Sequence, residues 1–186
     1  MQQKRMTTKK LVMTAVLAAL VAVTSGIRIV LTEGAAFHLG NIMCALSGIL
    51  LGPWFGGLAA GLGSAIYDMT NPLYISECWM TFILKGALGL MAGALSRVGR
   101  NGWKGSTGKA VLGSVAGTTT YGVLYLCKTF FYSGLLIKGL TTEAAWLTVL
   151  AKIPATLFNA FVAIIFAPPL AVALYHALKA AKLRLD

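Results

Sequence analysis

Six apolar segments, separated by short polar stretches, dominate the chain. They predict helices over Lys10 to Ile29, Leu39 to Leu51, Trp54 to Met69, Cys78 to Ser96, Lys109 to Tyr132, and Ala144 to Leu178. A helix needs about 20 apolar residues to cross a bilayer, and the second and third segments are shorter than that. The pattern predicts an all-α membrane protein, a compact bundle of six transmembrane helices.

The apolar run from Leu39 to Met69 is too long for one span. As a single helix it would measure roughly 46 Å at 1.5 Å per residue, against a hydrocarbon core of about 30 Å. The letters GPWFGG interrupt it, with Gly52 suited to a helix end and Pro53 to a helix start. We therefore predict two short helices joined by a tight turn, tolerated where neighbouring helices cover them.

Glycine and alanine are concentrated in the third and fourth segments, as in GGLAAGLG and KGALGLMAGAL. In lipid, helices associate through close packing, and small residues allow their backbones to approach. We interpret these glycines as packing surfaces. The sixth segment carries Pro154, Pro168 and Pro169, which predict a kink or a break. The sequence leaves open whether that segment is one helix.

Composition agrees with a membrane protein. The chain is 58% hydrophobic and 11% charged, whereas a soluble domain carries roughly 25% charged residues. Its net charge of +11 is clustered before the first segment, between residues 97 and 109, and after the last segment. The positive-inside rule explains this clustering without a nucleic acid and predicts cytoplasmic N- and C-termini. We expect one transmembrane domain, residues 1–186, in the cell membrane, crossing it several times.

The sequence offers little for catalysis or metal binding. HExxH, GxSxG and CxxC are missing, and GWKGSTGK departs from a phosphate-binding P-loop at Trp103 and Ala110. The cysteines are odd in number and scattered through apolar segments. We expect no enzyme activity, cofactor or metal, and a protein without its own ATPase.

Polar and aromatic residues gather towards the predicted outer ends of the helices. The candidate ligand-binding residues are His38, Asn41, Asp68, Tyr74, Glu77, Trp79, Lys85, Tyr125, Lys128, Lys152 and Asn159. Charged groups within a membrane are costly and usually face a cavity. Two explanations stay open, namely anchoring at the membrane interface, which also suits His38, and a polar cavity with aromatic walls. Lys85 is the hardest to explain as an anchor.

The first segment carries small residues at helical spacing. Ala15 and Ala19 are four residues apart, as are Ala18 and Ala22, so each pair lies on one helix face. Such a stripe suits packing against another helix.

Together these stretches resemble a known family. AVLAALVAV, FHLGNIMCALSGILLGPWFGGLAAGLGSAIYDM and FILKGALGLMAGALSR are similar to the substrate-binding S components of energy-coupling factor (ECF) transporters, in the riboflavin-transporter-like branch. The resemblance implies a six-helix subunit that binds a vitamin on the outer side. It also implies that the subunit works with a transmembrane T component and two cytosolic ATPases, and topples in the membrane to carry the ligand across.

The resemblance also implies roles for particular residues. Ala15, Ala18, Ala19 and Ala22 would contact the T component, and the loop from Arg28 to Gly40 would cap the ligand. Riboflavin, pyridoxine-type vitamers and pyrimidine precursors all suit aromatic walls with one or two charges. The alternative is a self-sufficient secondary transporter or channel, although no inverted repeat is visible.

Overall fold

The computed structural model describes residues 8–32, 35–99 and 103–182. Six helices make up most of this part of the chain, which confirms the predicted all-α membrane fold. They are α1 (Thr8–Gly26), α2 (Gly40–Leu51), α3 (Pro53–Met69), α4 (Cys78–Ser96), α5 (Thr107–Lys128) and α6 (Thr142–Ala180). Four helical stretches are long and apolar enough to cross a membrane, covering residues 8–26, 75–96, 107–137 and 142–180. As predicted, α2 and α3 are short.

The structure differs from the predicted pattern in the connections. The first helix ends at Gly26, and the chain continues into an antiparallel hairpin of β1 (Arg28–Thr32) and β2 (Ala35–His38). A 3₁₀ turn (Ile75–Glu77) precedes α4, and a π-helical segment (Thr129–Ile137) extends α5. These three connections lie at one end of the bundle, which we call the hairpin end. The α2–α3 turn, residues 97–99 and residues 103–106 lie at the other, which we call the loop end.

Helix α6 is continuous over 39 residues, with Pro154, Pro168 and Pro169 inside it. No break therefore occurs at the prolines. Within a helix bundle, neighbouring helices and hydroxyl side chains compensate for the backbone hydrogen bonds that a proline removes.

Helix α2 is the centre of the bundle. It packs against all five other helices, and every residue in it except Met43 is buried. Leu46 and Ile49 on α2 and Leu88 on α4 are among its largest fully buried side chains. A central helix has no lipid-facing side, which explains why α2 is apolar or small on all sides.

The turn between α2 and α3 is held by a glycine and an arginine. Gly52 has φ +91°, a conformation that favours glycine, and Pro53 opens α3. The guanidinium of Arg97 donates hydrogen bonds to the carbonyl oxygens of Gly48 (3.2 Å), Leu50 (3.0 Å) and Gly93 (3.2 Å). Two of these carbonyls belong to the end of α2, where a helix leaves acceptors unsatisfied.

Glycines bring the helix backbones together, as the sequence predicted. A Cβ added to Gly63 on α3 would lie 2.2 Å from the carbonyl oxygen of Ala18 on α1. One added to Gly89 on α4 would lie 2.7 Å from the carbonyl oxygen of Gly56. Side chains at these positions would push α1, α3 and α4 apart.

Candidate ligand-binding site

A cavity of about 130 Å³ lies at the hairpin end, between β2 and helices α1, α3, α4, α5 and α6. Polar and aromatic side chains dominate its wall. It is lined by Ser25, His38, Ser64, Tyr67, Asp68, Tyr74, Thr81, Lys85, Tyr121, Tyr125, Lys152, Ala155, Thr156 and Asn159.

Lys85 supplies a buried cation to this cavity. Its side chain is on α4, the residue is only 5% exposed, and its Nζ donates a hydrogen bond to Oδ1 of Asn41 on the central helix. The same Nζ lies 4.2 Å from the centre of the Tyr121 ring, within the range of a cation–π interaction. An amide oxygen and a ring face therefore hold this ammonium.

Two tyrosines of α5 form an aromatic wall between two lysines. The rings of Tyr121 and Tyr125 are stacked, with centroids 5.7 Å apart and planes inclined by 19°. Lys152 of α6 places its Nζ 5.5 Å from the centre of the Tyr125 ring. This wall offers a flat apolar surface with a cation beside each ring.

The hairpin is attached to α6 at the edge of the cavity. The backbone N–H of His38 donates to Oδ1 of Asn159 at 3.0 Å, and the rings of Phe37 and Phe158 have centroids 4.2 Å apart. Asn159 thus lines the cavity and also holds the segment next to it.

Residues 5–176 match the family described as "ECF-type riboflavin transporter, S component". The chain belongs to this family. It is therefore a substrate-binding subunit of an ECF transporter and an integral membrane protein, as its apolar helices also indicate. The family is one of transporter subunits rather than of enzymes.

A relative from Pyrococcus woesei, described as an uncharacterized protein in a gap 3' region, is 38% identical over 82 residues. The match covers 43% of the S component and 49% of that relative, so it spans about half the length of each protein.

The structure brings most of the predicted site residues of the S component together. Those that line the cavity are His38, Asp68, Tyr74, Lys85, Tyr125, Lys152 and Asn159. Asn41 does not line it but lies behind Lys85 as its hydrogen-bond partner.

The other predicted residues lie beside the cavity. Glu77 and Lys128 form an ion pair with N and O atoms 2.5 Å apart, and it links the start of α4 to the end of α5. Trp79 is 49% exposed and packs edge-on against Tyr132, with centroids 5.8 Å apart. In this structure, Glu77, Lys128 and Trp79 therefore make their contacts outside the cavity lining.

Sequence reasoning missed several lining residues, most of them one helical turn from a predicted one. The pairs are Ser64 and Asp68, Thr81 and Lys85, Tyr121 and Tyr125, Lys152 and Thr156, and Ala155 and Asn159. Residues four apart share a helix face, so extending each predicted residue by one turn would have found them. Ser25 and Tyr67 have no such predicted neighbour.

The alanines of α1 face two directions. Ala15 and Ala19 are on the exposed face, and Ala22 is half-buried. Ala18 is 7% exposed and belongs to the core, where its backbone packs against Gly63. The exposed stripe of small residues thus centres on Ala15 and Ala19.

Proposed function

We propose that this S component captures a vitamin-type aromatic molecule from outside the cell and delivers it inward with a T component and two ATPases. The observation that carries the proposal is the cavity itself, where stacked tyrosines and two lysines meet. A concave site with aromatic walls and a few polar groups suits a planar ligand.

The direction of uptake follows from charge. Arg97, Lys104 and Lys109 lie at the loop end, where Lys179 stands in the last turn of α6 and Lys182 follows that helix. Basic residues accumulate on the cytoplasmic side of membrane proteins. We therefore place both termini in the cytoplasm and the cavity towards the exterior.

The ligand is a ring of riboflavin, pyridoxine or pyrimidine type. Ligand pockets commonly measure about 300–1,000 Å³, more than the roughly 130 Å³ of this cavity. A flavin would need the hairpin to move outward. Such a movement would break the hydrogen bond from the His38 N–H to Asn159 and the contact between the rings of Phe37 and Phe158.

Native mass spectrometry of the purified protein tests the capture role directly. We expect a small molecule to remain bound, and we expect purified protein stripped of it to bind riboflavin, pyridoxine or hydroxymethylpyrimidine. Reconstituted alone, the protein should bind without sustained uptake. Failure to bind any of the three would refute the ligand class, and sustained uptake by the protein alone would favour a secondary transporter or channel.

The docking role of α1 predicts a separation of binding from transport. Ala15→Trp and Ala19→Trp would place a bulky ring on the face where we expect a partner helix, while both sites lie outside the cavity. We expect ligand affinity to stay unchanged and uptake by the complete transporter to be abolished. Ala173→Trp, on an exposed position of α6, is the matched control and should permit uptake. Full uptake by both α1 variants would contradict the docking role.

A further inference from the structure

Charged side chains are divided unevenly between the two ends of the bundle. Among the described residues, the carboxylate side chains are those of Asp68, Glu77 and Glu143, and all three lie at the hairpin end. The described part of the loop end has no carboxylate side chain. It has seven cations, which are Lys9, Lys10, Arg97, Lys104, Lys109, Lys179 and Lys182. This end therefore presents a strongly positive surface.

Two of these lysines are brought together by the ring of Tyr175, near the end of α6. Trp103 packs edge-on against this ring, with centroids 5.2 Å apart. A Cβ added to Gly105 would lie 2.6 Å from Cδ1 of the same ring. Lys104 thus lies between two residues that contact Tyr175. Lys179 follows Tyr175 by one helical turn, so the two share a helix face.

We call Trp103, Lys104, Tyr175 and Lys179 the basic seam, because they join the segment before α5 to the end of α6. Both lysines are exposed, and neither takes part in the ion pair found within 4.0 Å among the described residues. Both rings are partly buried. Aromatic rings beside lysines are typical of the headgroup level of a bilayer, and basic pockets between helices bind anionic lipid headgroups.

We propose that the basic seam binds the headgroup of an anionic phospholipid. The two ammonium groups form charge-assisted hydrogen bonds with its phosphate. The acyl chains lie along the outer faces of α5 and α6, where Val111, Leu112 and Leu174 are exposed near the seam. Cations and apolar surface thus meet in the order in which a phospholipid presents its phosphate and its chains.

An acidic surface on a partner protein is the alternative occupant. The T component is expected on α1, which packs mainly against α2 and α3. The seam instead lies where the segment before α5 meets α6, and these two helices pack against each other. A partner seated on α1 therefore leaves the seam to the bilayer. The proposal does not depend on which vitamin is captured, so its failure would leave the proposed function intact.

The test is native mass spectrometry of the full-length protein in detergent, titrated with phosphatidylglycerol or with phosphatidylcholine of the same acyl chains. We expect phosphatidylglycerol to bind the wild type about tenfold more tightly or better, because its net charge is negative. Lys104→Gln combined with Lys179→Gln should weaken its binding about fivefold per lysine, or roughly 25-fold for the pair. Phosphatidylcholine binding should change little.

Lys9→Gln combined with Lys10→Gln is the matched control, because it removes the same charge from the same end of the bundle but on α1. We expect it to leave the dissociation constant for phosphatidylglycerol within about threefold of the wild-type value. Lys104→Arg combined with Lys179→Arg keeps both cations and should also keep tight binding. Thermal midpoints in detergent should be the same for all three double variants, which separates loss of lipid from loss of fold.

Four outcomes would overturn the lipid site. They are equal binding of the two lipids, wild-type affinity in the seam variant, an equal loss in the α1 control, and displacement of the lipid by millimolar inorganic phosphate. The third would mean that the lipid responds to the general charge of the loop end, and the fourth that the seam binds free phosphate. A seam variant that keeps the lipid but no longer copurifies with the ATPases would assign the seam to a protein partner.

Discussion

Gly48 is the position where a single methyl group should disturb the bundle most clearly. A Cβ at Gly48 would lie 2.2 Å from the carbonyl oxygen of Gly89, 2.9 Å from the backbone nitrogen of Gly93 and 3.0 Å from Cβ of Ala92. Two of these three atoms are backbone, so no side-chain rotation can make room. Relieving the shortest contact requires α2 to move from α4 by about 1 Å, and gaps of 0.5–1 Å forfeit a quarter to a half of the dispersion energy.

The magnitude follows from two opposing effects in Gly48→Ala. Overpacking a core costs about 1–3 kcal/mol, and a backbone clash in the central helix belongs at the upper end of that range. Replacing glycine by alanine within a helix stabilises the helix by about 0.5–1 kcal/mol. The net loss is about 2–2.5 kcal/mol, which lowers the melting temperature of a chain of this length by roughly 4–10 °C.

Gly86→Ala is the matched control, since it makes the same change in α4 where there is room. Its Cβ would meet the carbonyl oxygen of Gly57 at 3.5 Å and Cα of Gly61 at 4.0 Å, both ordinary contacts. We expect the melting temperature to rise by roughly 1–4 °C. The assay is thermal unfolding of the purified, ligand-free variants followed by circular dichroism. If the two variants have the same melting temperature, close helix packing does not control the stability of this bundle.

Three further substitutions test separate contacts. Arg97→Met removes the donor to three backbone carbonyls and should destabilise the protein by about 3 kcal/mol or more in denaturant unfolding; a loss under 1 kcal/mol would contradict the capping role. Asn159→Leu removes the acceptor of the His38 N–H and should speed ligand release about 2- to 12-fold in stopped-flow measurements, whereas Asn159→Asp keeps an acceptor oxygen and should not. Glu77→Gln breaks the partly exposed ion pair with Lys128, so we expect a loss of about 1 kcal/mol or less and a dissociation constant within threefold; a tenfold change would place the pair in the site.

The helices were predictable because lipid imposes a simple pattern on them. Long apolar runs and polar ends marked four of the spans, and Gly52 with Pro53 marked the turn between the two short helices. The hairpin was missed because the apolar residues Ile29 to Leu31 continue the pattern of the first helix into β1. Hydropathy alone does not distinguish a short apolar strand from the end of a helix.

The position of the site along the helices could be predicted from the sequence, but the contacts between its residues could not. Charged residues within apolar segments suggested either one cavity near Lys85, Asp68 and Lys152 or anchoring at the membrane interface. The hydrogen bond from Lys85 to Asn41 joins residues 44 positions apart, and it depends on how α2 and α4 pack. Tyr121 was overlooked because a tyrosine in an apolar helix also suits the membrane interface.

The rise per residue along helix α6 gives the depth of the cavity in the bilayer. Trp146 and Tyr175 are separated by about 43 Å at 1.5 Å per residue, close to the 40–45 Å between the two aqueous surfaces of a bilayer, and aromatic residues favour those surfaces. Asn159 lies about 20 Å below Trp146 on this scale. With the proposed orientation, a molecule that reaches Asn159 lies almost halfway across the bilayer by binding alone.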